Sequence, residues 1–123
     1  MTEKEIFIEK MKIKTKKFAV DIIEFCESLK TCKASGVITY QLVKSSSSTG
    51  ANYRAACKAR SKNEFFSKIC IVVEEIDESE YWLEVIADAK LSNNKNELLR
   101  LHKEANEINK IMSKAKDSTY KKK

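Results

Sequence analysis

Few of the residues that could do chemistry stand where chemistry would need them. The only histidine, His102, lies beside an apolar stripe, and the sequence shows no partner for it. General acid–base work requires such a ring within hydrogen-bond reach of a second polar group, so His102 reads as a surface or boundary residue. The acidic cluster Glu74, Glu75, Asp77, Glu78 and Glu80 has the composition of a carboxylate metal site. Di-metal sites in helical bundles, however, take Glu-x-x-His pairs from facing helices, and the chain has no such pair. Cys26, Cys32, Cys57 and Cys70 form no C-x-x-C and have no histidine nearby, which does not suit zinc. Free thiols near apolar faces behave as small hydrophobes, and the pattern points to a reducing compartment. Glycine-rich phosphate loops, nucleophile elbows and Cys-His arrangements are missing from the sequence. The expectation is a protein that is not an enzyme and uses no cofactor and no metal.

Recognition by charge and by buried polar groups is what remains. The chain of 123 residues has a formal net charge of +6. The excess is concentrated at the ends, in Lys10, Lys12, Lys14, Lys16 and Lys17 and in Lys114, Lys116 and Lys121 to Lys123. Arg54, Lys58 and Lys62 recur every four residues, as on one outer helix face. Basic surfaces suit a polyanion partner, nucleic acid or an acidic protein; solubility is the plainer account of lysine-rich tails. The candidate nucleic-acid-binding residues are Lys44, Arg54, Lys58, Arg60, Lys62, Lys121, Lys122 and Lys123. A second candidate cluster is polar: Glu75 and Glu78 could accept hydrogen bonds from Asn52, Gln41 or an arginine across a helix interface. Trp82 shares the Glu75 and Glu78 side of its helix, opposite the main apolar seam, and is expected at a subunit contact.

These residues must be positioned by helices. There is no proline, and Gly36 and Gly50 are the only glycines, so an all-β fold lacks its turns. With 42% hydrophobic and 34% charged residues, the composition suits amphipathic helices in a single domain. A flexible basic lead-in is expected over residues 1–13, a four-helix domain over 14–116 and a disordered basic tail over 117–123. No apolar run approaches the ~20 residues of a membrane span, and the amino end lacks a signal-type apolar core. A cytoplasmic location without membrane contact is expected.

The first helix is predicted from about Lys14 to Lys30, with Phe18, Ile22, Phe25 and Leu29 as its stripe. Ser35 would cap the second helix and Gly36 would relax the bend before it. That second helix, about Gly36 to Ala59, contains the run Ser45 to Ser48. Composition alone reads such a run as a linker. Period reads it as a helix, because Ile38, Leu42, Ser45, Thr49, Asn52, Ala56 and Ala59 recur at steps of four and three. Ser61 and Glu64 form an S-x-x-E capping box for the third helix, which runs to about Ala89. Its seam is Phe65, Ile69, Val72, Ile76, Ser79, Leu83 and Ile86. After a polar turn at Leu91 to Asn96, Asn93 or Asn94 would cap the fourth helix, with Leu98, Leu101, Ala105, Ile108, Met112 and Ala115 inward. Four amphipathic helices joined by short turns predict an all-α, antiparallel up-down-up-down bundle.

The central stretch carries a family resemblance. Gln41-Leu42, Lys44-Ser45 and Ser48-Thr49-Gly50-Ala51-Asn52-Tyr53-Arg54-Ala55-Ala56 resemble the pattern Q-L-x-R-S-x-x-S-x-G-A-N-Y-R-E-A of the bacterial four helix bundle family, also called 23S rRNA-intervening sequence proteins. Ala59-Arg60-Ser61-Lys62 with Glu64-Phe65, and Glu75, Glu78 and Tyr81-Trp82-Leu83, look like its continuation. The resemblance spans about residues 15 to 112 and favours helix for the serine run. Two positions depart from the pattern: Ala55 stands where the family usually has glutamate, and Lys44 where it has arginine, losing the bidentate fork. The resemblance implies a left-handed bundle protomer that assembles as a ring-like homopentamer in the bacterial cytoplasm. A similar fold serves as the accessory protein of diversity-generating retroelements, which is an analogy of fold alone.

Together these readings lead to a non-enzymatic, homo-oligomeric helical protein that binds RNA or DNA through a basic surface. The alternative is a protein-interaction scaffold, an adaptor for a neighbouring enzyme such as a reverse transcriptase, with no nucleic-acid affinity of its own.

Overall fold

The structure, a computed structural model, describes residues 1–121. Four helices account for almost all of it: α1 (Glu3–Cys26), α2 (Lys33–Cys57), α3 (Lys62–Asp88) and α4 (Lys95–Lys121). Among the described residues there is no strand. Each helix packs on its two neighbours around the bundle, α1 on α2 and α4, α3 on α2 and α4, and the backbones of the diagonal pairs stand farther apart. Cross-helix contacts set the direction. Thr15 lies against Gly50, Ser45 meets Ser79, His102 meets Glu84 and Phe66 meets Tyr120. In each adjacent pair, residue numbers rise on one helix as they fall on the other. The result is the antiparallel up-down-up-down bundle expected of short turns.

The predicted seams are the core. Ile22, Leu42, Ile69, Val72, Ile76, Ile86, Leu101, Ala105 and Ile108 have no exposed surface. Burying each of the large ones contributes about 1.5–3 kcal/mol relative to exposure. The serine run is helical and its first half faces this core: Ser45, Ser46 and, beyond the run, Thr49 are enclosed completely, while Ser47 is exposed. Such burial is tolerable because each hydroxyl has a partner. Ser45 Oγ donates to the Leu42 carbonyl at 3.2 Å or faces Ser79 Oγ at 2.9 Å. Ser46 Oγ donates to Val43 O at 3.2 Å and Thr49 Oγ1 to Ser45 O at 2.8 Å. Small residues that satisfy themselves on their own helix let α1 and α3 approach α2 closely.

The helix ends explain where the structure departs from the sequence reading. Residues 1–13, expected as a flexible lead-in, are helical from Glu3. The signal was Thr2-x-x-Glu5: the Glu5 N–H donates to Thr2 Oγ1 at 3.1 Å and the Thr2 N–H to Glu5 Oε1 at 3.3 Å. A cap of this kind contributes about 1 kcal/mol. Met11 then extends the buried stripe of α1 one turn earlier than expected. At the other end, α4 continues through residues 117–121, expected as disordered tail, while Lys122 and Lys123 lie outside the described residues.

Ser35 is not the cap of α2. Cys32 holds that position, and Ser35 sits three residues inside, its Oγ accepting from the Cys32 N–H at 3.0 Å and donating to the Cys32 carbonyl at 2.9 Å. Gly36 is therefore an ordinary helical residue and relaxes no bend. Ala59 lies beyond the end of α2. Ser61 caps α3 by accepting from the Glu64 N–H at 3.0 Å, and Asn94 Oδ1 caps α4 by accepting from the Glu97 N–H at 3.1 Å.

The turn between α3 and α4 is less polar than expected, since Leu91 and Ser92 are buried. Lys90 closes α3 with φ 57°, in the left-handed region. That conformation costs an L-residue about 1–2 kcal/mol, and glycine is the usual solution at this position. The Leu91 N–H returns to Ile86 O at 3.1 Å, while Leu91 O accepts from the Lys30 N–H at 2.9 Å. The two turns at this end of the bundle are thereby tied together.

Candidate nucleic-acid interface

The expected column Arg54, Lys58, Lys62 does not exist as one helix face. Arg54 lies within α2, Lys58 is the residue that ends it, and Lys62 opens α3. What the fold builds instead is a cluster in the turn. Lys58, Arg60 and Lys62 all project into solvent within five residues. Arg60 and Lys62 stand on the rim of an apolar cleft of about 520 Å³, together with Lys4 from the first turn of α1. The last turn of α4 arrives at the same end, where Tyr120 stacks near Phe66 with ring centroids 5.9 Å apart. The turn and the last described turn of α4, far apart in the sequence, share one end of the bundle.

The electrostatics of this end are mixed. Arg60 approaches Glu64 at 4.0 Å, but its side chain is 92% exposed, so the pair contributes little. Lys58 and Lys62 form no ion pair among the described residues. Glu3, Glu5 and Asp117 lie on the elements that end here and dilute the field.

Two other candidates stand apart. Lys44 is exposed midway along α2, about 20 Å from Lys58 at the rise of an α-helix. Its charge acts on Glu75 of α3. Arg54 lines a shallow cleft between α1 and α2 with Lys12 and Lys16, two neighbours the sequence reading did not bring to it. Of the basic amino-end residues, Lys12 reaches Glu9 at 3.4 Å, Lys14 is held by Glu104 at 2.7 Å and Glu107 at 2.9 Å, and Lys17 bonds Asp21 at 2.9 Å. Burial opposes the charge of Lys14, but the two glutamates outweigh it and push its pKa up. Much of the basic excess of α1 is thus spent inside the protomer.

The polar cluster is also rearranged. The Asn52 amide donates to Ser48 O at 2.9 Å and to Ser48 Oγ at 3.2 Å, along its own helix and not to Glu75 or Glu78. Glu78 is exposed, Glu75 and Gln41 half-buried. Burial pushes the Glu75 carboxyl up, Glu78 and Glu74 push further, and Lys44 opposes them. Trp82 packs against the core on the flank of α3, and its Nε1 is enclosed without a hydrogen-bond partner among the described residues. It does not stand opposite the seam; its neighbour Tyr81, ring centroids 5.0 Å away, takes the outward position. His102, for which the sequence offers no partner, places Nε2 3.0 Å from Glu84 Oε2.

Another surface escaped the sequence reading. Ile6, Ile13 and Val20 recur every seven residues and are exposed, Ile13 by 66%, with Ile23 beside them. At 100° per residue they lie opposite Met11, Phe18 and Ile22, so α1 is apolar on both its inner and its outer side. The seven-residue spacing was visible, but it falls partly in the stretch read as unstructured.

No helix of the described residues is long and apolar enough to cross a membrane. None of their His, Cys, Asp and Glu side chains gather in threes as metal ligands would.

Comparison with known proteins agrees with this architecture. A crystal structure of a protein of unknown function from the S23 ribosomal protein family of Bacteroides thetaiotaomicron superposes with a TM-score of 0.76 at 31% identity, covering 86% of this chain and 97% of that one. Among curated proteins none matches. The description "23S rRNA-intervening sequence protein" fits residues 9–114, which take in α2 and α3 whole, most of α1 and α4, and the serine-rich face of α2. The chain belongs to the 23S rRNA-intervening sequence protein family.

Proposed function

We propose that this protein is a non-enzymatic nucleic-acid-binding bundle of the cytoplasm, using the basic end formed by Lys58, Arg60 and Lys62 with the carboxyl end of α4. The observation that carries the reading is the convergence of these two stretches at one end, where Lys58 and Lys62 have no acidic partner among the described residues. Contacts of this type go to phosphates, so binding is insensitive to sequence and weakens with salt. Self-association as a homopentamer, which the family resemblance implies, would repeat the cluster around a ring and multiply a modest field.

The test is a titration of fluorescently labelled RNA and DNA at several salt concentrations, with oligomer mass measured in the same buffers. Log affinity should fall linearly with log salt, with a slope of about −2 to −3 per three phosphates neutralised. The triple charge reversal Lys58→Glu, Arg60→Glu, Lys62→Glu should abolish binding. Absence of binding at low salt would reject this function.

The outer stripe of α1 favours a second reading. A scaffold that docks a protein partner needs an exposed apolar face, and Ile6, Ile13, Val20 and Ile23 supply one. In that case the charge reversal is silent, and replacement of Ile13 disables the protein.

A further inference from the structure

A cavity lies at the opposite end of the bundle, roughly 40 Å from the basic turn at the length of a 27-residue helix. Its volume is about 680 Å³, the size of small-molecule sites. The wall is apolar, formed by Leu83 and Ala87 of α3 and Leu98 and Leu99 of α4. Three cations stand around it: Lys30 from the first turn, Lys90 from the turn between α3 and α4, and Lys95 from the start of α4. None of the three forms an ion pair among the described residues. The one acid in the lining, Glu84, is engaged by His102 at 3.0 Å. With His102 neutral, the three lysines against Glu84 leave the lining with an excess of two positive charges.

Two backbone features fix the turns that carry Lys30 and Lys90. The backbone bond from Lys30 to Leu91, at 2.9 Å, fixes the two turns against each other. Lys90 occupies the left-handed region at φ 57°, where glycine would be less strained. Strain of this kind gathers at functional sites, and here it places a cation at the mouth of an apolar cavity.

We propose that this cavity binds a small organic anion: a flat or apolar body set between α3 and α4, with a carboxylate, sulfonate or phosphate among Lys30, Lys90 and Lys95. The charge of the rim selects the acidic group and the leucines select the body. The site is distinct from the basic turn, and its occupancy does not depend on nucleic-acid binding.

The probe is 8-anilinonaphthalene-1-sulfonate, compared with N-phenyl-1-naphthylamine, which has the same rings without the sulfonate. Fluorescence titration of the folded protein should show the anion binding about tenfold tighter than the neutral compound. Methyl resonances of Leu83, Leu98 and Leu99 should shift on binding. Lys90→Gly is the informative variant, because it removes the cation while relieving the backbone. It should weaken the anion about tenfold with an unchanged or higher Tm, and Lys95→Gln should weaken it similarly. Lys58→Gln, at the far end, should change nothing. Equal affinity for the two probes, methyl shifts elsewhere only, or full affinity in both Lys90→Gly and Lys95→Gln would overturn the proposal.

Discussion

The hydroxyls of Ser45 on α2 and Ser79 on α3 lie 2.9 Å apart in the middle of the bundle, both sealed from solvent. Each also reaches a carbonyl on its own helix, Leu42 O at 3.2 Å and Glu75 O at 3.0 Å. With one proton each, one hydroxyl bonds across the interface while the other turns back to its own backbone. Loss of either leaves the survivor a carbonyl to donate to. Ser45→Ala and Ser79→Ala should therefore each cost about 0.5–1.5 kcal/mol, and the double variant less than their sum. Ser45→Leu should cost more, about 1–3 kcal/mol, by forcing α2 from α3. Urea denaturation of the four variants checks this.

The two glycines should respond oppositely to alanine. A Cβ at Gly36 meets nothing within 4 Å, so Gly36→Ala should gain about 0.5–1 kcal/mol from helix propensity. At Gly50 the Cβ would come within 3.2 Å of Thr15 Oγ1, which is anchored to Met11 O at 2.9 Å and cannot easily yield. Gly50→Ala should gain nothing in the natural background, and about 1 kcal/mol once Thr15→Ala has removed the hydroxyl. Thermal melts of the single and double variants decide it.

Acid should weaken the α1–α4 contact. Burial works against the Asp21 charge, but Lys17 and Arg100 together hold its carboxyl below the ordinary 3.8. Arg100 holds Glu97 below 4.5, against burial. Both sit lower in the folded chain, so their contribution is complete above those ordinary values and is lost as pH falls through the folded ones. Stability should drop more steeply below about pH 4 in the natural protein than in Asp21→Asn with Glu97→Gln. Arg100 is half exposed, so the effect per pair stays under about 1 kcal/mol. Urea midpoints between pH 2.5 and 7 test the difference in slope.

Glu75 should behave in the reverse sense. Its carboxyl is pushed up, first by burial and then by Glu78, so its charge weakens the folded state at neutral pH. Glu75→Gln should stabilise the protomer at pH 7 by less than about 1 kcal/mol, and the gain should vanish below the ordinary value of 4.5. A stability profile in which the gain persists into acid would assign it to packing.

Assembly is best tested on α1. Ile13 is 66% exposed, so Ile13→Glu should leave the fold intact. If the outer stripe is a contact between copies, light scattering should show the mass falling toward the 14.1 kDa protomer. Trp82→Ala should lower protomer stability, because Trp82 packs on its own core, and should change the oligomer mass only if its flank is also a contact.

The seams of α3 and α4 were legible because apolar residues recur there with Ser79 as the one polar step, and Ile69 through Ile86 are inward as their spacing requires. The serine run was legible only by its period, since composition reads the same residues as a linker. Helix ends were read less well. Ser35 has the chemistry of a cap and acts instead as the third residue inside one, whereas Thr2 and Glu5 have the spacing of a capping box in a stretch whose weak apolar period hides the helix behind it. The basic candidates show the limit most clearly. Spacing by four implies one face only while a helix continues, and α2 stops between Arg54 and Lys62. That Lys58, Arg60 and Lys62 share an end with α4 depends on topology, which no local pattern contains.

The satisfied hydroxyls of α2 have a consequence for how the chain folds. Ser, Thr and Gly are weak helix formers, and residues 45–50 consist of nothing else. A peptide spanning Lys33 to Cys57 should be largely unstructured in isolation, with its turns acquiring order only on docking against α1 and α3. Opening α2 then means losing two interfaces at once. Its central amides should exchange with solvent only through global unfolding, leaving the bundle without a stable three-helix substate.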